Sequence, residues 1–335
     1  MKSREVHLTE NFVGEIKPDY FEIEEVEIAE PKEGEVQVEN EWLSVDPYMR
    51  GRMTGVKTYV EPFEPGKPME GGAVGRVVKS KSDRYAEGDY VFSMHGWREA
   101  WTAPAKGLMK VDADLLPPQT YLGIAGMPGL TAYVGLKRII DLKEGETLWM
   151  SAGAGAVGTS GIQFAKAMGA KVIATAGGKE KCDLCRELGA DAAVDYKATD
   201  NLAKAVRQAA RDIGSSGIDA YYENVGGDHL QAALDVLKQY GRIAACGMIA
   251  RYNDDRPVPG PSNLVQIVAK SLKMQGFIVM DHIDLNEAFV KDLSGWMMSG
   301  KVTSKETVYE GIEKMPDAFI GLFTGENVGK MLVKV

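Results

Sequence analysis

The order of apolar and polar residues divides the chain into a strand-rich first part and a later part in which strands and helices alternate. Before about residue 120, short alternating segments separated by Gly and Pro predict strands at Phe21–Ile28, Glu35–Trp42, Gly72–Val78 and Tyr90–Met94. From about residue 125 the predicted strands are 147–152, 171–176, 192–196, 219–224, 242–247 and 274–279. The predicted helices are 157–169, 179–188, 200–212, 228–239, 262–270 and 285–299.

This alternation predicts an α/β fold with a doubly wound parallel sheet, accompanied by a separate β-rich domain. We expect a β-rich domain over residues 1–124, an α/β domain over 125–299 and a C-terminal return over 300–335. Within that return, Lys305–Glu310 and Lys330–Val335 are predicted strands, and the second is expected to add to the first domain. Two domains of this kind usually hold the active site in the cleft between them.

The turn after the first strand of the α/β part has the sequence Ser151-Ala-Gly-Ala-Gly-Ala-Val-Gly158. In a strand–turn–helix context, Gly153 allows the sharp turn, Gly155 lets the backbone approach a pyrophosphate, and Gly158 lets the helix pack closely. The N–H groups and the positive end of the helix dipole would then face the anion. The turn therefore predicts a dinucleotide site. A plain tight turn is the alternative, because three glycines alone are weak evidence.

The second strand of this part ends at Gly177-Gly178, where NAD-binding sites usually carry an acid for the ribose 2′-OH. No acid occupies the end of the strand or the glycine pair. Lys181 and Tyr196 are in reach, and two glycines leave room for a 2′-phosphate, so we expect NADP(H) rather than NAD(H). The alternative is that Lys179 and Lys181 are solvated residues at the start of a helix.

Composition and charge exclude several classes of protein. The 335 residues carry a net charge of −9, with 44% hydrophobic and 26% charged residues, an ordinary globular balance. No basic patch with interleaved aromatic residues exists, so a nucleic-acid partner is not expected. No signal peptide is recognisable, and no apolar run approaches the roughly 18 residues of a membrane span.

The three cysteines favour a reducing compartment, and we expect a cytoplasmic protein. Cys182 and Cys185 form a CxxC on a predicted helix, where they share a face; a redox or metal role is the less favoured alternative. Cys246 is expected to be a small buried residue. The four histidines are scattered, and no cluster has zinc-ligand spacing, so no metal is expected.

Six segments resemble a known family. They are Leu43-Ser-Val-Asp-Pro-Tyr-Met-Arg50, Gly126-Met-Pro-Gly-Leu-Thr-Ala-Tyr133, Ala152-Gly-Ala-Gly-Ala-Val-Gly158, Glu223-Asn-Val-Gly-Gly227, Cys246-Gly-Met-Ile-Ala-Arg-Tyr-Asn253 and Gly325-Glu-Asn-Val-Gly-Lys330. Nearly the whole chain resembles the zinc-free, NADPH-dependent alkenal/one reductases of the medium-chain dehydrogenase/reductase superfamily, which includes prostaglandin reductase- and curcumin reductase-like proteins. The resemblance implies a GroES-like β domain and a Rossmann domain.

The resemblance also implies the cofactor-binding residues. They are Gly155, Ala156, Val157 and Gly158 at the pyrophosphate, Lys181 and Tyr196 at the 2′-phosphate, Asn224, Cys246, Tyr252 and Asn327 near the cofactor, and Phe277, Ile278 and Val279 at the carboxamide. Each has a structural alternative: the asparagines as turn residues, Tyr252 as a loop aromatic, and Phe277 as core. Zinc-dependent relatives place a cysteine ligand where this chain has Ser44-Val45-Asp46.

The implied reaction is hydride transfer to the β-carbon of an α,β-unsaturated aldehyde or ketone. Tyr252 is the expected catalytic residue, either donating to the enolate or holding the ribose 2′-OH. Tyr48, Arg50 and Met127 would line the substrate pocket, with a structural ion-pair role as the alternative for Arg50. A quinone reductase and a non-catalytic NADPH-binding protein are the competing readings. Relatives imply a homodimer.

Overall fold

The computed structural model describes residues 1–335 as two compact units. The first unit comprises Met1–Leu122, Tyr252–Asp255 and Glu306–Val335. The second comprises Gly123–Arg251 and Arg256–Lys305. These limits differ from the expected domains chiefly at Tyr252–Asp255, which join the first unit. None of the helices has the length and apolarity that crossing a bilayer requires.

The elements follow one another in chain order as fifteen strands and nine α-helices. The strands are β1 Lys2–Leu8, β2 Phe21–Glu27, β3 Glu35–Ser44, β4 Ala73–Ser80, β5 Tyr90–Ser93, β6 Ala100–Pro104, β7 Met109–Val111, β8 Thr147–Met150, β9 Lys171–Ala176, β10 Ala192–Asp195, β11 Ile218–Glu223, β12 Leu237–Ala245, β13 Lys273–Gly276, β14 Glu306–Glu310 and β15 Lys330–Lys334. The helices are α1 Met49–Arg52, α2 Met127–Val134, α3 Ala156–Ala167, α4 Lys179–Glu187, α5 Leu202–Asp212, α6 Gly227–Val236, α7 Val265–Ala269, α8 Asn286–Met298 and α9 Met315–Thr324.

The first unit is built on β-sheets. Its seven-stranded sheet has the order β14-β15-β3-β4-β5-β7, with β6 pairing with β3, and β1 and β2 form a separate antiparallel pair. The prediction that the last strand returns to this domain is confirmed, because β15 runs antiparallel to β3 with Leu332 opposite Ser44. Below the sheet, a buried cluster joins Leu43 and Trp97 to Phe319 of α9.

The second unit contains a six-stranded sheet in which every pair of neighbours is parallel. Its order is β10-β9-β8-β11-β12-β13, so the direction of winding changes between β8 and β11. A buried cluster joins Trp149 and Ile173 of the sheet to Val206 of α5 and Leu234 of α6. This doubly wound parallel sheet is the Rossmann arrangement that the sequence predicted.

Several element boundaries were predicted wrongly. The helix predicted over 228–239 ends at Val236, and β12 begins at the next residue. Its pairing with β11 shifts register near Tyr240, which has a left-handed φ of 64°. Such a bulge breaks the period-2 pattern, so the start of the strand was not visible in the sequence. The strand predicted over 274–279 ends at Gly276, and a 3₁₀ helix begins at Val279.

Helices α2 and α9 were not predicted from the sequence. Every residue of α2 from Pro128 to Val134 is buried, so the helix has no polar face and no amphipathic period. The end of α9 follows a recognisable rule, because Gly325 has a left-handed φ of 78° there.

Candidate cofactor and active site

The carboxyl ends of the six parallel strands lie along one edge of the second unit's sheet, because parallel strands end on the same side. Most of the predicted cofactor residues follow these strand ends directly. They are Gly155, Ala156, Val157 and Gly158 after β8, Lys181 after β9, Tyr196 after β10, Asn224 after β11, Cys246 after β12, and Phe277, Ile278 and Val279 after β13. This edge joins residues that are far apart in the sequence: the end of β8, Met150, and the end of β13, Gly276, are 126 positions apart.

The three glycines of the β8–α3 turn have different roles. A Cβ on Gly158 would lie 2.1 Å from the carbonyl oxygen of Ala152, and one on Gly153 would lie 2.9 Å from the Cβ of Ala174. Packing therefore demands glycine at both positions. A Cβ on Gly155 would meet only the Ala152 oxygen, at 3.3 Å. The fold makes little demand for glycine at 155, so the open space there is available to a bound group.

Helix α3 begins at this turn with no side chain capping its first N–H groups, since its N-cap residue is Gly155. Four N–H groups at the start of a helix lack partners within the helix, and the dipole adds positive potential. Ala156 and Val157, half-buried in the first turn, offer no competing polar side chain. The end of this helix therefore fits a pyrophosphate.

A second part of the edge is formed by the turns after β9 and β10. The carboxylate of Asp195 accepts hydrogen bonds from the backbone N–H of Gly178 at 2.9 Å and of Lys197 at 3.0 Å. A Cβ on Gly177 would lie 3.0 Å from both the Tyr196 hydroxyl oxygen and the Lys197 Cε. The acid near this turn is thus occupied by backbone N–H groups, and the glycine pair faces a phenol and a lysine.

Two lysines and the Asp195 carboxylate lie around the glycine pair. Lys179 forms an ion pair with Asp183, but Lys197 forms none. Lys181 is half-buried, and burial, followed by the Lys197 charge, lowers its pKa. A Cβ on Gly178 would meet nothing within 4 Å, so there is space at this position, and two neighbouring ammonium groups suit a dianion such as a 2′-phosphate. Lys197 was not among the predicted site residues, although Lys197 follows Tyr196 directly after the end of β10.

At the point where the winding direction changes, side chains join the ends of β8 and β11. Asn224 donates its side-chain N–H to the carbonyl of Ser151 at 2.9 Å, and its backbone N–H to the Ser151 hydroxyl at 2.8 Å. The Ser151 hydroxyl in turn donates to the carbonyl of Tyr222 at 2.8 Å. These bonds fix the orientation of Asn224, and they leave its carbonyl oxygen for another donor.

A buried carboxyl group, Glu223, organises the turn that carries Asn224. One of its oxygens accepts from the N–H groups of Val225 at 2.6 Å and Gly226 at 2.8 Å, and from the Tyr221 hydroxyl at 3.0 Å. Burial raises the pKa of Glu223. Glu223 begins the Glu223–Gly227 motif, but no role was predicted for it. An acid at the end of a central apolar strand was the available signal.

The last two strand ends complete the edge. The N–H of Cys246 donates to the carbonyl of Glu223 at 2.9 Å, and burial raises the pKa of the Cys246 thiol to about 12, so the thiol is neutral. Phe277, Ile278 and Val279 are half-buried, and the Phe277 ring packs edge-on against Tyr222. The CxxC cysteines are buried in α4 behind this edge, where Cys182 lies 3.8 Å from the carbonyl of Ala176 and burial raises the pKa of Cys185 to about 12.

The remaining predicted residues of the first unit include Arg50 and Tyr252. The Arg50 side chain is 1% exposed and donates to the Asn253 side-chain oxygen at 3.0 Å and to the Gly14 carbonyl at 2.8 Å. Its guanidinium also lies over the Phe12 ring, 4.6 Å from the centroid. The hydrogen bonds of Arg50 are thus to carbonyl and amide oxygens and not to a carboxylate. Arg50 holds the half-buried Tyr252 segment in the first unit.

The Ser44–Asp46 turn binds the buried ammonium group of Lys330, a residue of β15. Lys330 is 3% exposed and donates to the Asp46 carboxylate at 3.0 Å and to the Val45 carbonyl at 2.7 Å. The Ser44 hydroxyl donates to the other Asp46 oxygen. This donor set does not fit a zinc ion, because a lysine ammonium already neutralises the only carboxylate of the turn. Burial and the Asp46 charge raise the pKa of the neighbouring Tyr48, which stays neutral.

Two predicted residues have few constraints. Asn327 is half-buried in the first unit and donates to the carbonyl of Gly329 at 3.0 Å. Met127 is 37% exposed at the start of α2 in the second unit, where its carbonyl accepts from the Thr131 hydroxyl at 2.7 Å. Neither arrangement blocks a ligand-binding role.

Comparisons with known proteins identify the family. A family model described as the N-terminal domain of oxidoreductase matches residues 4–111, and one described as zinc-binding dehydrogenase matches residues 156–294. The chain is 40% identical over its whole length to the NADP-dependent 2-alkenal reductase of Nicotiana tabacum, of which it covers 98%. It belongs to the alkenal reductase family of medium-chain dehydrogenases/reductases.

Other members of the alkenal reductase family match equally broadly. Prostaglandin reductase 1 of Bos taurus is 42% identical, with 98% of this chain and 97% of the bovine protein covered. The crystal structure of CurA from Vibrio vulnificus in complex with NADPH superposes with a TM-score of 0.92, at 36% identity over 99% of both chains. The suspected family and the predicted fold are thereby confirmed.

Proposed function

We propose that the protein uses NADPH to reduce the carbon–carbon double bond of α,β-unsaturated aldehydes and ketones. The observation that carries the cofactor half of this proposal is the edge of the parallel sheet, with an uncapped helix start at Gly155, Lys197 beside Gly177, and Lys181 near Lys197. The substrate half rests on the family, whose members include a 2-alkenal reductase and prostaglandin reductase 1.

The residues of this edge divide the binding of NADPH among them. The N–H groups at the start of α3 would hold the pyrophosphate, and Lys181, Lys197 and Tyr196 would hold the 2′-phosphate. Asn224, fixed by Ser151, would present its side-chain oxygen to a donor on the cofactor. The backbone after β13 would meet the carboxamide. Asn327 and Cys246 would complete the contacts.

Bound NADPH supplies a hydride. The protein must then stabilise the negative charge that spreads to the carbonyl oxygen of the substrate as an enolate forms, and one good hydrogen-bond donor suffices for a charge delocalised in this way. We assign that donation to the Tyr252 phenol, either directly or through the ribose 2′-OH that it orients. The α-carbon then takes a proton from solvent. No step requires a metal.

The substrate end has two candidate contacts. Tyr48 carries a neutral phenol because burial and Asp46 raise its pKa, so it can donate a hydrogen bond without ionising. Met127 offers an adaptable apolar surface. Arg50 acts in this proposal as a positioning residue for Tyr252, through Asn253.

The decisive experiment follows the label. With NADPH deuterated at C4, a conjugated enone should give a saturated ketone with deuterium on the β-carbon, and solvent deuterium should appear on the α-carbon. NMR and mass analysis of the product measure both positions. An allylic alcohol labelled on its carbinol carbon would refute the proposal. A simple quinone as parallel substrate tests the quinone-reductase reading, and tight NADPH binding without turnover of any enone or quinone would indicate a binding protein.

We further propose that the protein is a cytoplasmic homodimer. Relatives of this family motivate the dimer, and three free cysteines suit a reducing compartment. Size-exclusion chromatography with light scattering should give twice the 36.4 kDa of one chain. A monomer at micromolar concentration would contradict the dimer.

A further inference from the structure

The β1–β2 pair of the first unit places one histidine among three carboxylates. These residues have no part in the cofactor site proposed for the second unit. His7 lies directly opposite Glu22, and Glu5 lies directly opposite Glu24. Because side chains two residues apart in a strand point to the same face, all four of these side chains share one face of the pair.

The imidazole of His7 is oriented by Glu5. Its Nε2 lies 3.3 Å from a carboxylate oxygen of Glu5, and a carboxylate only accepts, so Nε2 carries the proton of the neutral ring. The lone pair then resides on Nδ1. The His7 residue is 4% exposed, and its Nδ1 is buried without a hydrogen-bond partner.

That Nδ1 faces carboxylate oxygens. It lies 3.8 Å from an oxygen of Glu24, and single ligand atoms of His7, Glu22 and Glu24 all lie within 4.8 Å of one another. A lone pair and two carboxylates at this separation repel one another unless a cation or a proton lies between them. Two ligands on one zinc-sized ion are at most ~4.2 Å apart, since each bond is about 2.1 Å. Glu22 and Glu24 are exposed, so small rotations of their side chains close the gap.

We propose that His7 Nδ1, Glu22 and Glu24 bind a divalent transition-metal ion, with Zn²⁺ as the best match. One imidazole nitrogen with two carboxylates favours such an ion over Mg²⁺ or Ca²⁺, which prefer oxygen ligands alone. Glu5 is the positioning carboxylate that fixes the tautomer and ring orientation. Water completes the coordination on the exposed side.

The local charge fits a dication. Three carboxylates contribute −3 and the Arg98 guanidinium, 4.0 Å from Glu5, contributes +1, which leaves −2. A bound Zn²⁺ brings the sum to zero. The role we infer is structural: the ion would tie the largely exposed β2 to β1, whose apolar residues Val6 and Leu8 are fully buried. It takes no part in the proposed reduction.

Sequence spacing did not show this site, because residues 7, 22 and 24 have none of the short repeats typical of zinc sites. The antiparallel register creates the ligand set. The competing occupant is a second proton on His7, which would form an ion pair with Glu24 in place of the metal.

Isothermal titration of chelator-treated full-length protein with Zn²⁺ at about pH 7.5 tests the site. We expect one saturable Zn²⁺ per chain and no comparable Mg²⁺ binding. Glu24→Gln should weaken the affinity at least ~10-fold, a loss that even outer-shell carboxylates produce. Glu27→Gln is the matched control: it removes the same charge from the same strand, on the opposite face, and should leave the affinity nearly unchanged.

Thermal unfolding gives a second measurement. Zn²⁺ should raise the unfolding temperature of the unmodified protein and of Glu27→Gln, but not of Glu24→Gln, because binding to the folded state alone stabilises it. The rate of NADPH oxidation should be the same with and without chelator. Absence of saturable Zn²⁺ binding would overturn the proposal, as would equal binding by the two variants, which would place the ion elsewhere.

Discussion

Lys197, just after β10, lies against Gly177, and Lys181 in the first turn of α4 is close enough to Lys197 for their charges to interact. The proposed roles of these two lysines in cofactor preference can be tested. Each charge-assisted hydrogen bond to a 2′-phosphate contributes about 1.5–3 kcal/mol. Lys181→Ala should therefore weaken NADPH binding by about 10- to 150-fold. Lys197→Ala should also weaken it, but by a smaller factor, because Lys197 is more exposed. NADH binding should barely change.

Michaelis constants for both cofactors, and binding of 2′,5′-ADP against ADP, measure this preference. Lys179→Ala is the control, since Lys179 is already paired with Asp183. Equal affinities of the unmodified protein for NADPH and NADH would contradict the assignment of the site.

Tyr252 is the residue on which the proposed chemistry depends most. If its phenol stabilises the developing enolate, Tyr252→Phe should lower kcat more than it raises KM for an enone, because the interaction strengthens in the transition state. Loss of a single oxyanion donor costs at most about 2.7–4 kcal/mol, or 10²–10³-fold in kcat. An unchanged kcat would assign the donation to the cofactor hydroxyl alone.

His229 gives the protein a defined response to acid. It is 5% exposed on α6, its ring packs edge-on against Tyr196, and burial lowers its pKa to about 4. A histidine whose pKa is lower in the folded than in the unfolded state stabilises the fold fully above about pH 6.5, and loses that contribution as pH falls toward 4.

The difference in free energy of unfolding between the unmodified protein and His229→Gln should therefore shrink by about 2 kcal/mol between pH 7.5 and pH 5. Urea unfolding at several pH values measures it. Parallel curves for the two proteins would show that His229 does not titrate in this way.

At the scale of elements, the glycines of the β8–α3 turn differ in role: Gly158 is required for packing, whereas Gly155 is proposed to make room for the cofactor. Gly155→Ala places its methyl group 3.3 Å from one carbonyl, and the cost to stability should be about 1 kcal/mol, as for other N-cap changes to alanine. Gly158→Ala forces a methyl group to 2.1 Å from the Ala152 oxygen and should cost about 3 kcal/mol or more.

We therefore expect Gly155→Ala to fold but to bind NADPH weakly, and Gly158→Ala to be destabilised even without cofactor. Thermal unfolding and cofactor fluorescence titration separate the two effects. Normal NADPH affinity in a folded Gly155→Ala variant would place the pyrophosphate elsewhere.

Elements marked by a local signal, such as an apolar run that ends at glycines, were predictable and others were not. Strand β9 was predicted residue for residue, because its apolar run Lys171–Ala176 is bounded by glycines on both sides. Helix α2 was missed because burial on all sides removes the polar face that marks a helix. The ligand face of β1 and β2 was equally hidden, since only the pairing of Glu5 with Glu24 and of His7 with Glu22 creates it. Contacts between distant segments are set by tertiary packing, which no local pattern encodes.

The site followed the same rule. The residues on the Rossmann edge were predictable because strand ends and glycine turns are local signals, and family motifs supplied the rest. Lys197, Asp195 and Glu223 were not predicted, because their roles depend on which turn each one faces in the folded chain. The hydrogen bonds of Arg50 to Gly14 and Asn253 were not predictable either, because they join segments far apart in the sequence.

At the scale of the whole molecule, the buried Lys330–Asp46 pair connects two ends of the sequence within the first unit. Lys330→Met leaves the Asp46 carboxylate buried without a counter-charge, and removal of one partner of a buried pair costs about 3–5 kcal/mol. We expect faster hydrogen exchange in β3 and β15, with exchange in β8–β11 little changed. Adding Asp46→Asn to Lys330→Met should recover part of the loss. Strictly additive costs for the two changes would show that the pair does not interact.

The strand containing Lys330 has a consequence for how the protein is made. Strand β3 pairs with β15, so the sheet of the first unit stays incomplete until the ribosome has passed residue 334. The second unit needs nothing beyond residue 305. Strand β6 can pair with Glu35–Glu39 of β3 early, but Trp42–Ser44 have no partner on that side until β15 is made. A nascent chain would therefore carry a finished Rossmann unit while this end of β3 is still unpaired on one side. Ser44 and its partner Leu332 are separated by some 290 residues of synthesis. During that interval the unpaired end of β3 can pair wrongly or bind a chaperone.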